Sequence, residues 1–455
     1  MASSSASRSP STSQAAARLS QVSHHMAASA SSSSADVWAS TPQAPADPIF
    51  ALTAGYQADS FENKVNLGVG AYRDNEGKPF VLPVVRKAKQ ILAADESLDH
   101  EYLPIAGLPA FVKATGKLIF GADSPAIKED RVVSIQTISG TGANHYGGAF
   151  LERFYEPWLG KSKADKVIYV SNPTWANHKA IFNSVGLTPV DYPYYDPSTI
   201  GLALPKFLDF LRSAPQQSVF LLHACAHNPT GVDPTRDQWE EIAAIFKERG
   251  HFAFFDCAYQ GFASGDLDND AWAVRHFVSQ QIPLLVCQSY AKNAGLYGER
   301  IGALNLVATH AGSSPGGAER LRSQLLILQR QEISNPPTFG ARIVGMILND
   351  EAMFGEWKRD IGTMAGRIIA MRERLHDLLV NELKTPAPGP NGWDHVVKQI
   401  GMFTFTGLTP PQCKAMVERG HVYMTGNGRI SMAGINDGNV EYVAQCFDKA
   451  VRGTL

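Results

Sequence analysis

Short apolar runs alternate with longer, charge-patterned helical stretches from about Pro45 towards the C-terminus. One helical stretch, residues 233–250, begins at Asp233 and stops at Gly250, and both residue types are common at helix boundaries. The apolar runs that predict strands lie at residues 166–171, 218–224, 251–256, 284–289 and 302–308. Continuous apolar strands separated by helices predict an α/β fold, in which a mostly parallel central sheet is sandwiched by helices.

The pattern changes after the last of these runs. A long helical region is predicted over about residues 337–383, and the Pro- and Gly-rich residues 385–392 end it. We expect the part after about Asp360 to pack with the segment near residues 47–79 as a smaller α/β domain. The predicted divisions are a leader at 1–35, an N-terminal arm at 36–46, the small domain at 47–79 and 361–455, and the large domain at 80–360.

The first 35 residues differ in composition from the rest of the chain. Ser and Ala dominate them, Arg8 and Arg18 carry the only formal charges, and the first acidic residue is Asp36. A Ser-rich leader without acidic residues is typical of an organellar transit peptide, and it lacks the apolar run of a secretory signal. This predicts the mitochondrial matrix. The alternative is a disordered tail on a cytoplasmic protein.

The charge and cysteine content narrow the function classes. The chain of 455 residues has 43 acidic and 41 basic side chains, which gives no basic surplus for binding nucleic acid. No run approaches the roughly 18 apolar residues of a membrane-spanning helix. The five cysteines are widely spaced and form no C-x-x-C pair, so we expect buried free thiols rather than disulfides. We therefore predict neither nucleic-acid binding nor membrane insertion.

Polar residues follow several predicted strands, at the edge where parallel strands present ligand-binding side chains. Asp256 ends one apolar run, and Lys292 follows another. A desolvated lysine can form a Schiff base with an aldehyde, and an aspartate can keep a pyridine nitrogen protonated. Trp175 can stack on such a ring, and residues 139–142 (SGTG) can bind a phosphate at a helix N-terminus. Together these residues predict pyridoxal phosphate (PLP) as the cofactor.

The motifs in chain order resemble the class I PLP-dependent aminotransferases. The resemblance runs from about residue 45 to residue 451, and it implies PLP transferase fold type I. It also implies reversible ping-pong transamination of L-aspartate and 2-oxoglutarate to oxaloacetate and L-glutamate through a lysine Schiff base. The motifs that carry it are NLGVGAYRD, HEYLPIAG, SNPTWANHKAIF, HACAHNPTGVDPT, FFDCAYQGFASG, SYAKNAGLYGERIG, ISNPP, IGMFTFTGL and GRISMAG.

The resemblance implies a role for each residue around the cofactor. Lys292 would form the Schiff base and move the proton, and Asp256 would pair with the ring nitrogen. Tyr259 and Asn228 would bond the phenolate oxygen of PLP. The other implied cofactor contacts are Trp175 on the ring, His178 behind Asp256, Ser139, Gly140, Thr141, Ser289 and Arg300 on the phosphate, and Tyr102 on the phosphate of the neighbouring subunit.

The resemblance also implies how the substrate is recognised. Arg429 would bind the α-carboxylate through its guanidinium fork, helped by Asn228, Trp175 and the backbone of Gly70. Arg330 would bind the distal carboxylate, and in the family this arginine comes from the other subunit. The resemblance therefore implies a homodimer with shared active sites and small dicarboxylic amino and keto acids as substrates.

The chain departs from the family pattern inside the SGTG motif region. Asn144 and His145 stand where many relatives have Leu and Arg, and Tyr146 follows them. None of the three is a residue that the resemblance assigns to chemistry. The role of this departure stays open.

Several alternatives remain at this point. An aromatic amino acid aminotransferase has the same fold, although Arg330 favours a substrate with a second carboxylate. A nicotinamide oxidoreductase would need G-x-G-x-x-G, but the third glycine falls at His145. A non-catalytic scaffold is disfavoured because the catalytic residues are all present. Alternation along a strand would place His223, Cys225 and His227 on one face, but no acidic partner lies nearby in the sequence, and we predict no metal site.

Overall fold

The computed structural model describes residues 37–44 and 48–455, with the backbone alone at residues 48–50. The predicted leader at residues 1–35 lies outside this part of the chain. Residues 37–44, which belong to a unit of residues 1–47, contain a turn in which the Thr41 N–H donates to the Trp38 carbonyl over 2.8 Å. Residues 48–455 form the second unit, which carries all the predicted chemistry.

The strands of this second unit range from two to seven residues in length. In chain order they are β1 (Val65–Asn66), β2 (Val132–Ile138), β3 (Val167–Asn172), β4 (Thr188–Pro193), β5 (Tyr195–Asp196), β6 (Gly201–Leu202), β7 (Val219–His223), β8 (Phe252–Cys257), β9 (Leu284–Ser289), β10 (Ile301–Val307), β11 (Phe403–Phe405), β12 (Val422–Tyr423) and β13 (Arg429–Ser431). The five apolar runs correspond to β3, β7, β8, β9 and β10.

The helices lie between and after these strands. They are α1 (Pro48–Ala58), α2 (Pro83–Ala94), α3 (Pro109–Phe120), α4 (Pro125–Lys128), α5 (Ser139–Phe154), α6 (Asn177–Ser184), α7 (Leu204–Ser213), α8 (Arg236–Arg249), α9 (Leu267–Asp270), α10 (Trp272–Ser279), α11 (Ala318–Glu332), α12 (Phe339–Asn349), α13 (Glu351–Asp377), α14 (His395–Lys398), α15 (Pro410–Glu418) and α16 (Val440–Arg452). Single turns of 3₁₀ helix cover Glu156–Trp158, Lys163–Asp165 and Met432–Gly434, and a π-helical turn covers Leu378–Glu382.

A seven-stranded sheet occupies the centre of the second unit. Its strand order is β2-β10-β9-β8-β7-β3-β4, and all neighbouring pairs are parallel except the two that include β10. Because β10 is antiparallel to both β2 and β9, those two strands point the same way. The carboxyl ends of β2, β3, β7, β8 and β9 therefore meet at one edge, where such sheets bind ligands.

Helices cover both faces of the sheet, which explains why its strands are apolar along their whole length. Successive residues of a strand point to opposite faces. On β8, Phe254 packs on Phe182 of α6, while Phe255 packs on Trp239 of α8 and Phe277 of α10. The predicted α/β sandwich is confirmed.

Two helix predictions differ from the structure. The helical region predicted over about residues 337–383 is divided at Asp350, whose carboxylate accepts the Met353 N–H over 2.8 Å and caps α13. The helix predicted from Asp233 begins at Arg236 instead. Thr235 caps it in a capping box with Gln238, because a hydroxyl three residues before the Gln completes that motif. Asp233 therefore does not cap this helix.

Segments from the two ends of the second unit contact each other. β1 pairs in parallel with β12, so that Val65 lies opposite Val422. The Ser431 N–H donates to the Leu67 carbonyl over 2.8 Å. These contacts join the two segments that we expect in the small domain, while the boundaries at residues 79/80 and 360/361 stay predictions.

Burial agrees with the expectations from composition. All five cysteines are free and buried. No helix within residues 37–44 and 48–455 is both long and apolar enough to cross a bilayer.

Candidate active site

A cavity of about 250 Å³ opens at the carboxyl edge of the central sheet. Residues at or beyond the ends of six strands, β1, β2, β3, β7, β8 and β9, line it, so residues far apart in the sequence meet there. Lys292 and Asp256 both line this cavity, as the predicted chemistry requires. The predicted residues in its wall are Gly70, Ser139, Gly140, Thr141, Trp175, Asn228, Asp256, Tyr259, Ser289, Lys292 and Arg300.

One end of the cavity is formed by the N-terminus of α5. Ser139, the first residue of that helix, has a left-handed φ of 59°, and its N–H donates to the Arg300 carbonyl over 3.0 Å. The Ser139 and Ser289 hydroxyl oxygens lie 3.2 Å apart. A Cβ on Gly140 would lie 3.0 Å from the Ser289 Cβ, so only glycine leaves this space open. Backbone N–H groups, hydroxyls and a guanidinium at a helix N-terminus suit an anion such as phosphate.

Asp256 is held by a histidine from the neighbouring layer. His178 Nε2 lies 3.0 Å from Asp256 Oδ2, and His178 Nδ1 lies 2.8 Å from the Thr174 hydroxyl. Burial acts to raise the pKa of Asp256. The hydrogen bond from His178 and the nearby positive groups, Lys292 among them, outweigh that effect and keep the pKa below its ordinary value. The carboxyl group is therefore ionised at neutral pH, although its side chain is only 11% exposed.

The surroundings of Lys292 make its charged form less favourable than it is in water. Desolvation lowers the pKa of Lys292, the charge of Asp256 opposes this, and the charge of Arg300 adds to it. The ammonium nitrogen lies 5.0 Å from the centroid of the Tyr259 ring. A lysine with a lowered pKa is the type that acts as a nucleophile or base.

Asn228 and Tyr259 face each other across the cavity wall. Asn228 Nδ2 donates to the Tyr259 hydroxyl over 3.5 Å, and the buried Asn228 Oδ1 has no hydrogen-bond partner among the residues that the structure describes. Burial and the charge of Asp256 raise the pKa of Tyr259, so its hydroxyl keeps its proton and can donate. Both side chains can therefore bond an oxygen of a ligand.

Arg429 is not in the cavity wall, but it contacts Phe403, a ring that Gly70 of the wall also approaches. Its Nη2 donates to the Gly68 carbonyl over 2.7 Å, and its guanidinium carbon lies 4.6 Å from the centroid of the Phe403 ring. Its Nε has no partner. A Cβ on Gly70 would lie 2.6 Å from Phe403 Cζ, so the absence of a side chain lets this segment approach the ring.

Tyr102 and Arg330, like Arg429 and His178, are absent from the cavity wall. Tyr102 is 81% exposed, and Arg330 is also exposed, on the last turn of α11. Arg330 Nη1 contacts the Ser334 hydroxyl and lies 3.4 Å from Asn335 Oδ1. Asn335 Nδ2 in turn donates to the Leu103 carbonyl over 2.6 Å, which ties the two segments together. The structure thus brings these two predicted residues to one surface, but not to the cavity of their own chain.

Some residues in the wall have no role assigned from the sequence. Among them, Asn144 is fully buried, donates to the Gly140 carbonyl over 2.9 Å and leaves Oδ1 without a partner. The sequence identified Asn144 as a departure from the family pattern, but it did not predict that Asn144 lines the cavity. The unassigned lining residues are Asn144, His223, Cys225, Ala258, Ala291 and Tyr297.

Three possible metal ligands, His178, His223 and Asp256, have ligand atoms within 4.8 Å of one another. His223 Nδ1 accepts the Asn228 N–H over 3.0 Å, so the proton of the neutral ring must sit on Nε2. Burial lowers the pKa of His223 to about 3, which keeps the ring neutral. A metal would need the Nε2 lone pair that this proton occupies. The group suits a hydrogen-bonded ligand better than a cation.

A buried aspartate, a lysine with a lowered pKa and an anion-binding helix end around one cavity suit an enzyme that transfers amino groups. The chain belongs to the aminotransferase class I and II family, whose model matches residues 62–447. The predicted family and fold type are confirmed.

Individual relatives give the same assignment. The cytoplasmic aspartate aminotransferase of Schizosaccharomyces pombe is 50% identical over 91% of this chain and 98% of its own. A solved aspartate aminotransferase from Saccharomyces cerevisiae cytoplasm superposes with a TM-score of 0.86 at 46% identity, covering 93% of this chain and 100% of its own. An aromatic amino acid aminotransferase from Burkholderia cenocepacia gives 0.85 at 39% identity, covering 92% and 100%. The fold alone therefore does not separate these two activities.

Proposed function

We propose that this chain acts as an aspartate aminotransferase, which interconverts L-aspartate and 2-oxoglutarate with oxaloacetate and L-glutamate in a ping-pong reaction. The observation that carries the proposal is the meeting of Lys292 and Asp256 in one cavity beside the N-terminus of α5. The names of the relatives at about 50% identity support the choice of substrates.

The cavity fits PLP as the cofactor. Two of its polar atoms, Asn228 Oδ1 and His223 Nε2, are buried without a partner and can bond a polar ligand. When bound, PLP supplies a carbonyl group for the amino nitrogen and a ring that withdraws electrons from the adjacent carbon. The residues that we propose to hold it are Ser139, Gly140, Thr141, Ser289, Arg300 and the Tyr102 of a second copy at the phosphate, and Trp175, Asn228, Asp256 and Tyr259 at the ring, with His178 behind Asp256.

The residues of the chain divide the chemistry among themselves. Asp256, kept ionised by His178, holds a proton on the ring nitrogen. Lys292 Nζ, whose pKa is lowered by desolvation, moves a proton to and from the substrate Cα. Tyr259 and Asn228 donate hydrogen bonds to the ring oxygen and stabilise its negative charge. The surroundings of Asp256, Lys292 and Tyr259 each shift the pKa of the side chain in the direction that its role requires.

Two arginines would select a dicarboxylate. Arg429 binds the α-carboxylate that every amino acid carries, together with Gly70 and Asn228. Arg330 binds the distal carboxylate, and a charge-assisted hydrogen bond of this kind contributes about 1.5–3 kcal/mol. An aromatic substrate would leave the Arg330 guanidinium without that partner. The position of this arginine in the sequence therefore favours aspartate over the aromatic alternative.

We propose a homodimer in which each copy completes the site of the other. The exposed Tyr102 and Arg330 have no place in the cavity of their own chain. Their segments are joined through Asn335, so a second copy would receive both together. Light scattering during assay would test this, since a fully active monomer would contradict it.

For the compartment we propose the cytoplasm rather than the mitochondrial matrix. The similar proteins from Schizosaccharomyces pombe and Saccharomyces cerevisiae are cytoplasmic aspartate aminotransferases. The predicted transit leader lies outside the described residues. Imaging a fluorescent fusion with and without residues 1–35 would decide, since mitochondrial signal that depends on those residues would contradict the proposal.

Absorbance spectroscopy of the purified protein tests the main proposal most directly. We expect a visible band from the lysine-bound cofactor, which disappears on addition of L-aspartate and returns with 2-oxoglutarate. L-Phenylalanine should bleach the band far more slowly. A protein without a visible band that binds NAD(H) instead would contradict the proposal.

A further inference from the structure

Asp233 holds the loop between β7 and α8 in place, although it has no role in the function proposed for the cavity. Since Thr235 caps α8, the Asp233 carboxylate is free to bond elsewhere. Its Oδ2 accepts the Ala226 N–H over 2.6 Å, and its Oδ1 accepts the His227 N–H over 2.8 Å. One carboxylate thus binds two consecutive backbone groups directly before Asn228.

This loop has a conformation that needs such support. Ala226 has a left-handed φ of 49°, which is unfavourable for a residue with a side chain. On the other side of the loop, a Cβ on Gly401 would clash with the Ala226 side chain. The Asn228 N–H is taken by His223 Nδ1 over 3.0 Å. Strained backbone of this kind persists only where the surrounding contacts fix it, and it is common at active sites.

The consequence of the fixed backbone is the direction of the Asn228 side chain. Its Nδ2 reaches the Tyr259 hydroxyl at 3.5 Å, and its Oδ1 stays without a partner in the cavity wall. The long 3.5 Å contact cannot hold the amide by itself, because hydrogen bonds weaken beyond about 3.2 Å. The orientation of the side chain therefore depends on the loop below it.

We propose that Asp233 is the positioning residue of Asn228: its carboxylate fixes residues 226 and 227 so that the Asn228 amide faces the cavity. The assignment rests on the function proposed above, because it concerns the same cofactor and substrate. Asp233 touches neither of them and acts through Asn228 alone.

Asp233→Asn tests this assignment with little change in volume. The amide can accept one N–H, but its NH₂ would face the other, so the loop must shift. The visible absorbance follows the protonation of the Lys292 nitrogen that is joined to the cofactor. A hydrogen bond from Asn228 to the ionised ring oxygen lowers the pKa of that nitrogen, so we expect the pKa to rise by about one unit when this bond is lost. We also expect kcat/KM for aspartate at pH 8 to fall about tenfold. In an Asn228→Ala background, Asp233→Asn should change both quantities little.

Asp270→Asn is the matched control. Asp270 also accepts two consecutive N–H groups, from Ala263 and Ser264, but its loop packs on α13 through Gly261 and Gly265. It should lower the melting temperature without moving the absorbance titration. Full additivity of Asp233→Asn and Asn228→Ala, or an equal titration shift in Asp270→Asn, would overturn the assignment. Those outcomes would leave transamination intact, whereas a wild-type protein without a visible band would instead reject the proposed function.

Discussion

The inner wall of the cavity and the outer residues proposed to complete the site of a second copy, Tyr102 and Arg330, are built in opposite ways. In the inner wall, Asp256 is only 11% exposed and His178 bonds it within the same chain. In the outer group, Tyr102 is 81% exposed, and the guanidinium of Arg330 contacts Ser334 and Asn335 of its own segment. The inner wall is formed by residues of one chain, while the outer group is absent from the cavity wall of its own chain.

The difference follows from what each region must do to its charged groups. Desolvation shifts a pKa, so the lysine and the aspartate that move or hold protons must lie in the wall of the cavity. A carboxylate clamp needs only a permanent charge of the right geometry, and an arginine keeps its charge in any surroundings. Selection can therefore be delegated to an exposed residue that a second copy buries. We therefore predict that substitutions in the inner wall reduce turnover with every substrate, whereas substitution of Arg330 reduces mainly the preference for a dicarboxylate.

The largest effect is expected from Lys292→Ala. Removing the amine removes the proton carrier of the inner wall, and turnover with aspartate should fall by at least about 10⁴-fold while PLP still binds. Turnover assays with equilibrium dialysis of PLP measure both quantities. Lys179→Ala is the control, because that lysine pairs with Asp191 on the surface and should leave turnover unchanged. Substantial residual turnover in Lys292→Ala would remove the residue from the mechanism.

The next effect concerns selection alone. Arg330→Ala should lower kcat/KM for aspartate about 10- to 100-fold, because one charge-assisted carboxylate contact is lost. The value for phenylalanine should change by less than about threefold. Arg429→Ala provides the contrast, since it removes the contact that both substrates share and should impair both. Equal losses of the two substrates in Arg330→Ala would end the distinction between inner and outer regions.

A mixed dimer sharpens the comparison further. A Lys292→Ala chain has an intact Arg330, and an Arg330→Ala chain has an intact inner wall. If each copy lends Arg330 to the other, one site of the hybrid is wild type. Random mixing makes half of the dimers hybrids, so about a quarter of wild-type aspartate activity should appear. Activity that stays at the level of the unmixed variants would place Arg330 in its own chain.

Much of the inner wall could be predicted from the sequence. Asp256 follows β8 and Lys292 follows β9, and parallel neighbouring strands bring such positions to one edge. The approximate strand positions were also predictable, because strands buried on both faces are apolar throughout. These inferences need only strand order and hydrophobicity.

Other features depend on tertiary contacts that local patterns do not encode. The sequence favours Asp233 as the start of a helix, yet its carboxylate bonds a loop seven residues earlier in the chain. The proton position on His223 is set by the Asn228 backbone, which only the folded loop brings near. The division of the predicted helix at Asp350 likewise depends on a cap that competes with helix continuation. Local signals identify candidate residues, and the fold decides which partner each one meets.

The smallest effect tests the energetic side of the comparison. Desolvation lowers the pKa of Lys292 from 10.5, so the unfolded chain binds this proton more tightly than the folded chain does. The charge therefore destabilises the cofactor-free fold at neutral pH, and the penalty disappears as the pH rises through about 10.5. Lys292→Met should melt a few degrees higher than wild type at pH 7, with a gap that narrows towards pH 10. Lys179→Met should melt close to wild type at both pH values, because the side chain of Lys179 is 48% exposed. Calorimetry of the cofactor-free proteins measures these melting temperatures. If the difference between Lys292→Met and wild type did not change with pH, the charged form of Lys292 would not destabilise the fold.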